Sequence, residues 1–339
     1  MKDIASELQT LCHALRLGEL IGEPEAVSGG LIHKLYAITT SKGKYAVKVL
    51  NPQIMERPTA KQNVIRSEQI ASRAADVVSA LPAIRVEGRF LHEGNNAFYL
   101  VFDWVDGISL KPSEVTVRHC EEMGALLADL HQTDFSGLAM DKEEASQEST
   151  IDWTFYLQRG REARFVWVTQ LQDAMEKLYE WNALANHSAS LLEADRVFSH
   201  RDLEPKNVMW TADGPVIIDW ESAGSIHPLQ DLTETAFYWS REDGGTIDKD
   251  RFLAFLQGYQ RKIGPLAADW NVVLATGFRG RLAWLEYSLN RSLFIECSDA
   301  EEQQLGTEQV IGTLYDLIGY AARSAELETW LNELQRSTH

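Results

Sequence analysis

The segment that most constrains the fold of this chain is a polar loop between two short apolar stretches. It covers residues 199–207, with the sequence S-H-R-D-L-E-P-K-N, and strand-like residues flank it on both sides. A further strand-like stretch, 215–218, follows a tight turn and ends in the carboxylate of Asp219. Because these short strands are expected to be neighbours, Asp202, Asn207 and Asp219 are predicted to converge at their ends.

Two carboxylates and one amide in such an arrangement suit phosphoryl transfer. One carboxylate can orient and deprotonate an attacking hydroxyl, while the second carboxylate and the amide oxygen hold Mg²⁺ against the phosphates. Oxygen ligands suit this ion because it is a hard cation. His200-Arg201-Asp202 taken alone would fit an ordinary surface loop equally well. The prediction therefore depends on the joint spacing of all the polar residues.

The order H-x-D-x-x-x-x-N, followed by I-I-D, resembles the catalytic core shared by protein kinases and the aminoglycoside phosphotransferase/choline kinase family. The resemblance implies that Asp202 is the catalytic base, that Asn207 and Asp219 are metal ligands, and that His200 braces the loop. It also implies a two-lobed α+β fold of the protein-kinase type, with a small β-rich N-lobe and a large, mainly helical C-lobe. The cofactors that it implies are ATP and Mg²⁺.

Periodicity in the rest of the chain agrees with two lobes. Strand-like segments at 31–40 and 44–50 precede a helical stretch over 61–79, and a second hairpin ends near residue 105. We therefore expect a nucleotide-binding N-lobe over 1–106. Residues 107–339 are expected to form the C-lobe, with the catalytic loop, the metal site and a helical substrate-binding region.

Two charged residues of the predicted N-lobe are candidates for nucleotide binding. Lys48 lies in the middle of a strand among apolar neighbours, where a lysine needs an anion, and it resembles the kinase lysine that meets the phosphates. Glu68, on the following helix, is expected to pair with Lys48, and Glu56 is the alternative partner.

Backbone groups of the same lobe are also expected to contact the nucleotide. Ser28, Gly29 and Gly30 are small enough to let N–H groups approach phosphate, although no G-x-G-x-x-G pattern is present. The segment 102–107, which includes Phe102 and Trp104, resembles the connector whose backbone binds adenine. Simple linkage of a hairpin to a helix explains this segment nearly as well.

Two departures from protein kinases favour a small-molecule substrate. Asp219-Trp220-Glu221 replaces D-F-G, and no A-P-E follows to close a peptide-binding segment. The patterns H-P-L-Q-D-L at 227–232 and L-H at 130–131 resemble the small-molecule family instead. Lys206 stands beside Asn207, where its contact with phosphate is doubtful, and a solvated surface lysine is the favoured interpretation.

Recognition of the substrate is expected from the helical lobe. An amine-bearing substrate would require carboxylates and aromatic faces. The candidates of these types are Glu221, Asp152, Trp153, Tyr238, Trp284 and Tyr287, together with Trp239 and Glu286. Packing in the core explains any single aromatic residue more often than ligand contact does.

Composition excludes several other classes of protein. The formal net charge of −18 disfavours nucleic acid and anionic membranes as partners and would favour a cationic substrate if the acids line a cleft. General solubility explains the charge equally simply. No apolar run approaches the ~18 residues that span a bilayer, and the three cysteines form no C-x-x-C pair. A cytoplasmic protein is therefore expected.

The sequence thus predicts an ATP-dependent kinase that transfers the γ-phosphate to a hydroxyl group of a small molecule, for example an aminoglycoside or another antibiotic. A metabolite kinase of the choline, homoserine or sugar type is the alternative within this class. A nucleotide-binding regulator without turnover is the alternative from another class.

Overall fold

The structure is a computed structural model that describes residues 4–27, 33–94, 97–138, 150–297 and 299–337. The chain divides into two compact units. The first unit comprises Met1–Lys111, Thr133–Ala139 and Phe198–Gly224, and the second comprises Pro112–Gln132, Met140–Val197 and Ser225–His339. None of the helices within the described ranges combines the length and the apolar run that crossing a bilayer requires.

The first unit contains a five-stranded antiparallel sheet with the strand order β1-β2-β3-β5-β4. Its strands are β1 (Leu20–Val27), β2 (Lys34–Thr40), β3 (Gly43–Val49), β4 (His92–Glu93) and β5 (Phe98–Asp103). The helices of this unit are α1 (Ile4–Ala14), α2 (Pro52–Met55) and α3 (Ala60–Ala74). β2 and β3 form the hairpin predicted from the sequence, with Thr40 paired to Gly43 at the turn.

Alternation along the strands places Lys48 on a defined face of this sheet. Val47 and Val101 pair with each other and pack in the cluster that includes α1. Lys48 pairs with Leu100, which packs with Phe102 in the other cluster, next to the start of α3. Because successive side chains point to opposite faces, Lys48 shares the face of Leu100.

The polar loop of the sequence lies among short strands. These are β6 (Val197–Ser199), β7 (Val208–Thr211), β8 (Gly214–Ile217) and β9 (Gly224–Ile226), with 3₁₀ turns at Pro112–Glu114, Pro205–Asn207 and Trp220–Ser222. β7 and β8 are antiparallel, with Val208 opposite Ile217. Ile217 N–H donates to Ser79 O, and its carbonyl accepts from Leu81 N–H, both at 2.8 Å. These bonds fix β8 to the segment that follows α3.

The described part of the second unit is helical. Its helices are α4 (Val117–His131), α5 (Trp153–Ala163), α6 (Val168–Leu191), α7 (Pro228–Ser240), α8 (Lys249–Ile263), α9 (Trp270–Ser292) and α10 (Ala300–Ser337). Side-chain oxygens of Asp152, Asp248 and Asp269 accept hydrogen bonds from the first turns of α5, α8 and α9. Such caps satisfy N–H groups that have no partner within their helix.

A buried polar network explains two of the sequence motifs. His131 Nδ1 lies 2.9 Å from the hydroxyl of Tyr259, and its Nε2 lies 2.9 Å from Asp231 Oδ2. All three residues are buried. The network joins α4, α7 and α8, so the histidine of L-H and the aspartate of H-P-L-Q-D-L have a structural role here.

Helices α4 and α8 approach each other closely through two glycines. A Cβ added to Gly124 would lie 2.0 Å from the carbonyl oxygen of Phe255, and one added to Gly258 would lie 2.1 Å from that of Glu121. Real Cβ atoms do not approach a backbone oxygen so closely, and the helices would have to separate. The two glycines therefore set the spacing of this helix pair.

We predict that Gly124→Ala destabilises the protein by about 1–3 kcal/mol, because the added methyl overpacks the crossing of α4 and α8. Urea unfolding of the full chain measures the change. Gly312→Ala is the matched control, since Gly312 lies in α10 with open space around its Cβ position. The control should leave stability unchanged or raise it by up to ~1 kcal/mol. Equal stability of the two variants would contradict the prediction.

Candidate active site

The backbone of Ile218 connects the two loops that carry the predicted catalytic residues. Its N–H donates to Asn207 O at 2.9 Å, and its carbonyl lies 2.9 Å from His200 Nε2. His200 is completely buried, and its Nδ1 accepts from the Asp202 N–H at 3.3 Å. Because Nδ1 accepts, the proton of the neutral ring is on Nε2 and is donated to Ile218. His200 thus braces the loop, as the sequence predicts.

Asp202 is positioned by the side chain of Asn207. The Asn207 amide nitrogen donates to Asp202 O at 2.8 Å and to Asp202 Oδ2 at 2.9 Å. Asn207 itself is buried at the end of a 3₁₀ turn. Its amide nitrogen faces the base, which leaves Oδ1 as an acceptor for another group. The structure therefore brings together the predicted base and one predicted metal ligand.

Asp219 lies directly after Ile218 and contacts Lys48. Asp219 Oδ1 is 2.6 Å from Lys48 Nζ. Its backbone has φ 62° and ψ 61°, a left-handed conformation that aspartate tolerates better than most residues. This conformation begins the turn of Trp220–Ser222, and the ion pair brings β3 and the end of β8 together. The predicted strand lysine and the second predicted metal ligand therefore meet.

Glu221 and His33 complete this cluster. Glu221 Oε2 is 3.1 Å from Lys48 Nζ and 3.6 Å from His33 Nε2. His33 Nδ1 accepts from Asn51 N–H at 2.9 Å, so its Nε2 carries the proton. Glu221 was predicted as a substrate residue, but the structure places it beside Lys48 and Asp219. Sequence reasoning missed His33, and the only signal for it is its position shortly after the Ser28-Gly29-Gly30 segment.

The pair expected between Lys48 and Glu68 is not formed, and this expectation is corrected. Lys48 contacts Asp219 and Glu221, whereas Glu68 Oε2 accepts from Ala83 N–H at 2.6 Å. Glu68 is 2% exposed. Its carboxyl group therefore anchors the segment that follows α3 from a buried position. Two carboxylates that follow β8 compete for the lysine, and sequence spacing gave no measure of that competition. The alternative, Glu56, is exposed and ends the short helix α2.

The local environment shifts the pKa values of the two predicted site carboxyls in opposite directions. Burial, and then the charge of Glu204, raise the pKa of Asp202 to about 7, against the opposing effect of Lys206. Burial would also raise the pKa of Asp219, but Lys48 outweighs it and holds that pKa below its ordinary value. Opposite shifts of this kind separate a proton acceptor from a permanently charged ligand.

Lys206 follows the favoured interpretation of the sequence. Its side chain is 56% exposed, and its Nζ lies 3.2 Å from Glu204 Oε2. The lysine is therefore a surface residue that pairs within its own loop.

The connector is fixed to the catalytic strands. Ile108 and Trp210 exchange two backbone hydrogen bonds, and a Cβ on Gly107 would lie 2.8 Å from Trp210 O. The Phe102 side chain is buried in the core, so only its backbone is available to a ligand. The Trp104 ring lies 3.8 Å below Lys44 Nζ and donates to Asp106. Ser28, Gly29 and Gly30 lie outside the described residues.

The predicted substrate residues of the second unit have different surroundings. Trp153 is completely buried, so it packs in the core and does not present a surface to substrate. Asp152 caps α5. Trp284 and Tyr287 are half-buried on α9, with ring centroids 5.3 Å apart. Tyr238 is half-buried on α7, with its ring 5.6 Å from the Arg281 guanidinium.

A carboxylate lies on the same helix as the aromatic pair. Glu286 Oε1 accepts from the Tyr156 hydroxyl at 3.3 Å, and Asn290 Oδ1 accepts from it at 3.0 Å. Burial raises the pKa of Glu286, against the hydrogen bond from Tyr156. Among the candidates of the second unit, α9 alone combines aromatic faces with an acid in this way. Trp239, the remaining aromatic candidate, is fully buried.

We predict that the wild-type protein loses stability as the pH rises and that Glu68→Gln abolishes this loss. Burial raises the pKa of Glu68 from 4.5 to about 7, although the Ala83 hydrogen bond and Lys48 oppose this and Asp219 and Glu221 add to it. The folded state therefore keeps a proton that the unfolded state has lost, and folding becomes less favourable as pH rises through this interval. Glutamine retains an acceptor for Ala83 N–H and does not titrate.

Thermal unfolding of both proteins between about pH 5.5 and 8 tests this prediction. The difference in free energy of unfolding, Gln variant minus wild type, should grow up to about pH 7 and then level off. A difference that stays constant across the range would show that Glu68 is ionised throughout.

Comparison with known proteins identifies the group to which this site belongs. A model of the phosphotransferase enzyme family matches residues 23–265. The chain is similar to a spectinomycin phosphotransferase, with a TM-score of 0.69 and 11% identity over 94% of this chain and 98% of that one. A choline/ethanolamine kinase family protein from Mesorhizobium loti gives a TM-score of 0.65 and 15% identity over 98% and 99% of the two chains. An amicoumacin kinase gives a TM-score of 0.58 and 15% identity over 91% of this chain and 93% of that one.

These similarities confirm the predicted fold class, an α+β protein with a β-rich N-terminal part and a helical C-terminal part. The family match covers well over half of the chain and confirms that the enzyme is a phosphotransferase, as predicted. The chain belongs to the phosphotransferase enzyme family.

Proposed function

We propose that this protein transfers the γ-phosphate of ATP to a hydroxyl group of a small molecule in the presence of Mg²⁺. One observation carries the proposal: Asn207 contacts Asp202 through its side chain and holds Ile218, next to Asp219, through its carbonyl. A single residue thus positions both a base and a metal-binding carboxylate. Phosphoryl transfer depends on such positioning more than on covalent chemistry.

The residues present fit Mg²⁺ bound together with a nucleotide. Within the described ranges, no three His, Cys, Asp or Glu side chains form a cluster able to hold a metal by themselves. Asn207 and Asp219 nevertheless offer two hard oxygen ligands, and Mg²⁺ commonly takes one or two protein ligands and completes its shell with phosphates and water. When bound, it would neutralise charge on the phosphates.

Each residue of the cluster has a proposed task. Asp202 Oδ accepts the proton of the substrate hydroxyl, and its raised pKa suits a base that works near neutral pH. Lys48, which is half-buried and paired with Asp219, presents its charge to the phosphates. Glu221 keeps Lys48 charged, because its negative charge helps to raise the lysine pKa against burial. Glu68 acts indirectly, because its carboxyl group holds the segment at Ala83.

We also propose that the two parts of the chain have the separate functions expected from the sequence. Residues 1–106, with Phe102, Trp104 and the Ser28-Gly29-Gly30 segment, bind the nucleotide. Residues 107–339 supply the catalytic loop, the metal site and the substrate region, although contacts within the chain group Phe198–Gly224 with the first unit.

The proposed acceptor is a small alcohol that carries a cationic group. The chain has a formal charge of −18, and α9 presents Trp284 and Tyr287 together with Glu286. Aromatic faces and a carboxylate are the groups that bind ammonium ions. Related structures include one with spectinomycin and one with amicoumacin, and others are choline or ethanolamine kinases. Both antibiotics and amino-alcohol metabolites therefore belong in the first panel of acceptors, and a regulator without turnover would give no product with any of them.

We predict that Asp202→Asn lowers kcat by about 10²–10⁴-fold, because asparagine accepts the Asn207 hydrogen bond but cannot accept the substrate proton. ADP release with a reactive acceptor measures this change. Asp213→Asn is the matched control, since the same substitution falls on an exposed turn between β7 and β8. The control should keep wild-type turnover. An active Asp202→Asn enzyme would remove the assignment of the base.

We further predict that a cationic alcohol is a better acceptor than its neutral isostere. Choline and 3,3-dimethylbutan-1-ol have nearly the same shape and differ in charge, so their ratio of kcat/KM isolates the contribution of the charge. We expect a ratio of about tenfold or more in favour of choline, even if both are poor substrates. A ratio near one, or below it, would contradict a cationic acceptor while leaving the kinase assignment intact.

A further inference from the structure

A cavity of about 790 Å³ lies in the first unit, apart from the residues of the active site. α1 and α3 contribute Leu11, Leu15, Ile65 and Gln69, and the segment 85–93 contributes much of the remaining wall. Gly137 and Leu138 complete the lining. Lys48, Asp202, Asn207 and Asp219 do not line it. Its volume falls within the range of cavities that bind small molecules.

The charge of the cavity differs in sign from that of the whole chain. Four cationic side chains line it, against the two carboxylates of Asp76 and Glu93, while the chain carries a formal charge of −18. Arg73 is already paired with Asp76 at 2.7 Å. The other three cations are Lys61, Arg85 and Arg89.

These three cations have no carboxylate partner among the described residues. Lys61 Nζ lies over the Phe98 ring at 4.2 Å, and Arg85 donates to the Gly88 carbonyl and lies over the Phe90 ring. All three residues, Lys61, Arg85 and Arg89, are exposed. Three cations that line one cavity without a paired anion form a suitable receptor for the carboxylate of an amphipathic molecule.

His92 adds an unsatisfied polar atom to the same wall. The residue is 8% exposed, and its Nε2 is buried without a hydrogen-bond partner among the described residues. An imidazole nitrogen of this kind accepts a hydrogen bond when the proton of the neutral ring is on the other nitrogen. A buried acceptor without a partner is unfavourable. His92 lines the cavity, so a hydroxyl group bound there could supply the missing partner.

We propose that this cavity is a second ligand site that binds a small aryl carboxylate bearing a hydroxyl group. The carboxylate lies among Lys61, Arg85 and Arg89, the ring packs on Phe90, Leu91 and Phe98, and the hydroxyl donates to His92 Nε2. The site shares α3 with the active site, since Ile65, Gln69 and Ser72 line the cavity and Glu68 lies in the same helix. It does not depend on the identity of the phosphate acceptor.

Calorimetric titration of the full chain with 4-hydroxyphenylacetate tests the proposal. The expected dissociation constant is about 1 mM, as befits a ligand of this size. Phenylacetate lacks the hydroxyl and should bind about fivefold more weakly, while 2-(4-hydroxyphenyl)ethanol lacks the charge and should bind about tenfold more weakly. Saturating ATP with Mg²⁺ should leave the affinity unchanged. Absence of binding, equal binding of all three compounds, or displacement by ATP would each overturn the proposal.

A matched pair of variants locates the site. Arg89→Met removes an exposed cation of the cavity but keeps an apolar stem, and it should weaken binding of 4-hydroxyphenylacetate about tenfold. Arg118→Met removes an exposed cation at the start of α4 and changes the net charge equally. It should bind like wild type. Equal weakening in both variants would show a general charge effect and would overturn the assignment to this cavity.

Discussion

The candidate active site depends on the peptide group of Ile218. Its N–H and carbonyl are both used, by Asn207 and by His200, so two loops that are distant in sequence are held by one residue. His200 in turn accepts from the backbone of Asp202, and Asn207 donates to its carboxylate. The Trp220 ring packs edge-on against His200, with centroids 4.7 Å apart, and shields these bonds from water. Hydrogen bonds in such a dry environment are stronger and more costly to break than exposed ones.

The second constraint is electrostatic and comes from Lys48. Burial of an ammonium group is unfavourable, and it is tolerated because Asp219 and Glu221 lie within 3.1 Å of Nζ. The same contacts keep the Asp219 carboxylate charged. Burial and the charge of Glu204 outweigh the opposing effect of Lys206 and raise the pKa of Asp202, so it retains a proton more readily. The contrast between the proposed base and the proposed metal ligand thus depends on the contact of Asp219 with Lys48.

The sequence was informative where local pattern determines structure. The β2–β3 hairpin, the mid-strand position of Lys48 and the convergence of Asp202, Asn207 and Asp219 all follow from alternation and spacing. The helix expected over 61–79 ends earlier, at Ala74, because the chain then turns to bond β8. The partner of Glu68, the role of His33 and the burial of Trp153 could not be predicted. Each depends on which distant groups compete for one atom or one surface, and a single sequence contains no measure of that competition.

The composition of the site also bears on the need for a metal. Asp202, Glu204, Asp219 and Glu221 contribute four carboxyl groups to the two loops, and Lys48 and Lys206 are the cations that contact them. A triphosphate approaching this surface would meet net repulsion unless further positive charge accompanied it. Mg²⁺, for which Asn207 and Asp219 are the proposed ligands, would supply that charge. The four carboxyl groups of these loops would thus make nucleotide binding, as well as transfer, dependent on a bound cation.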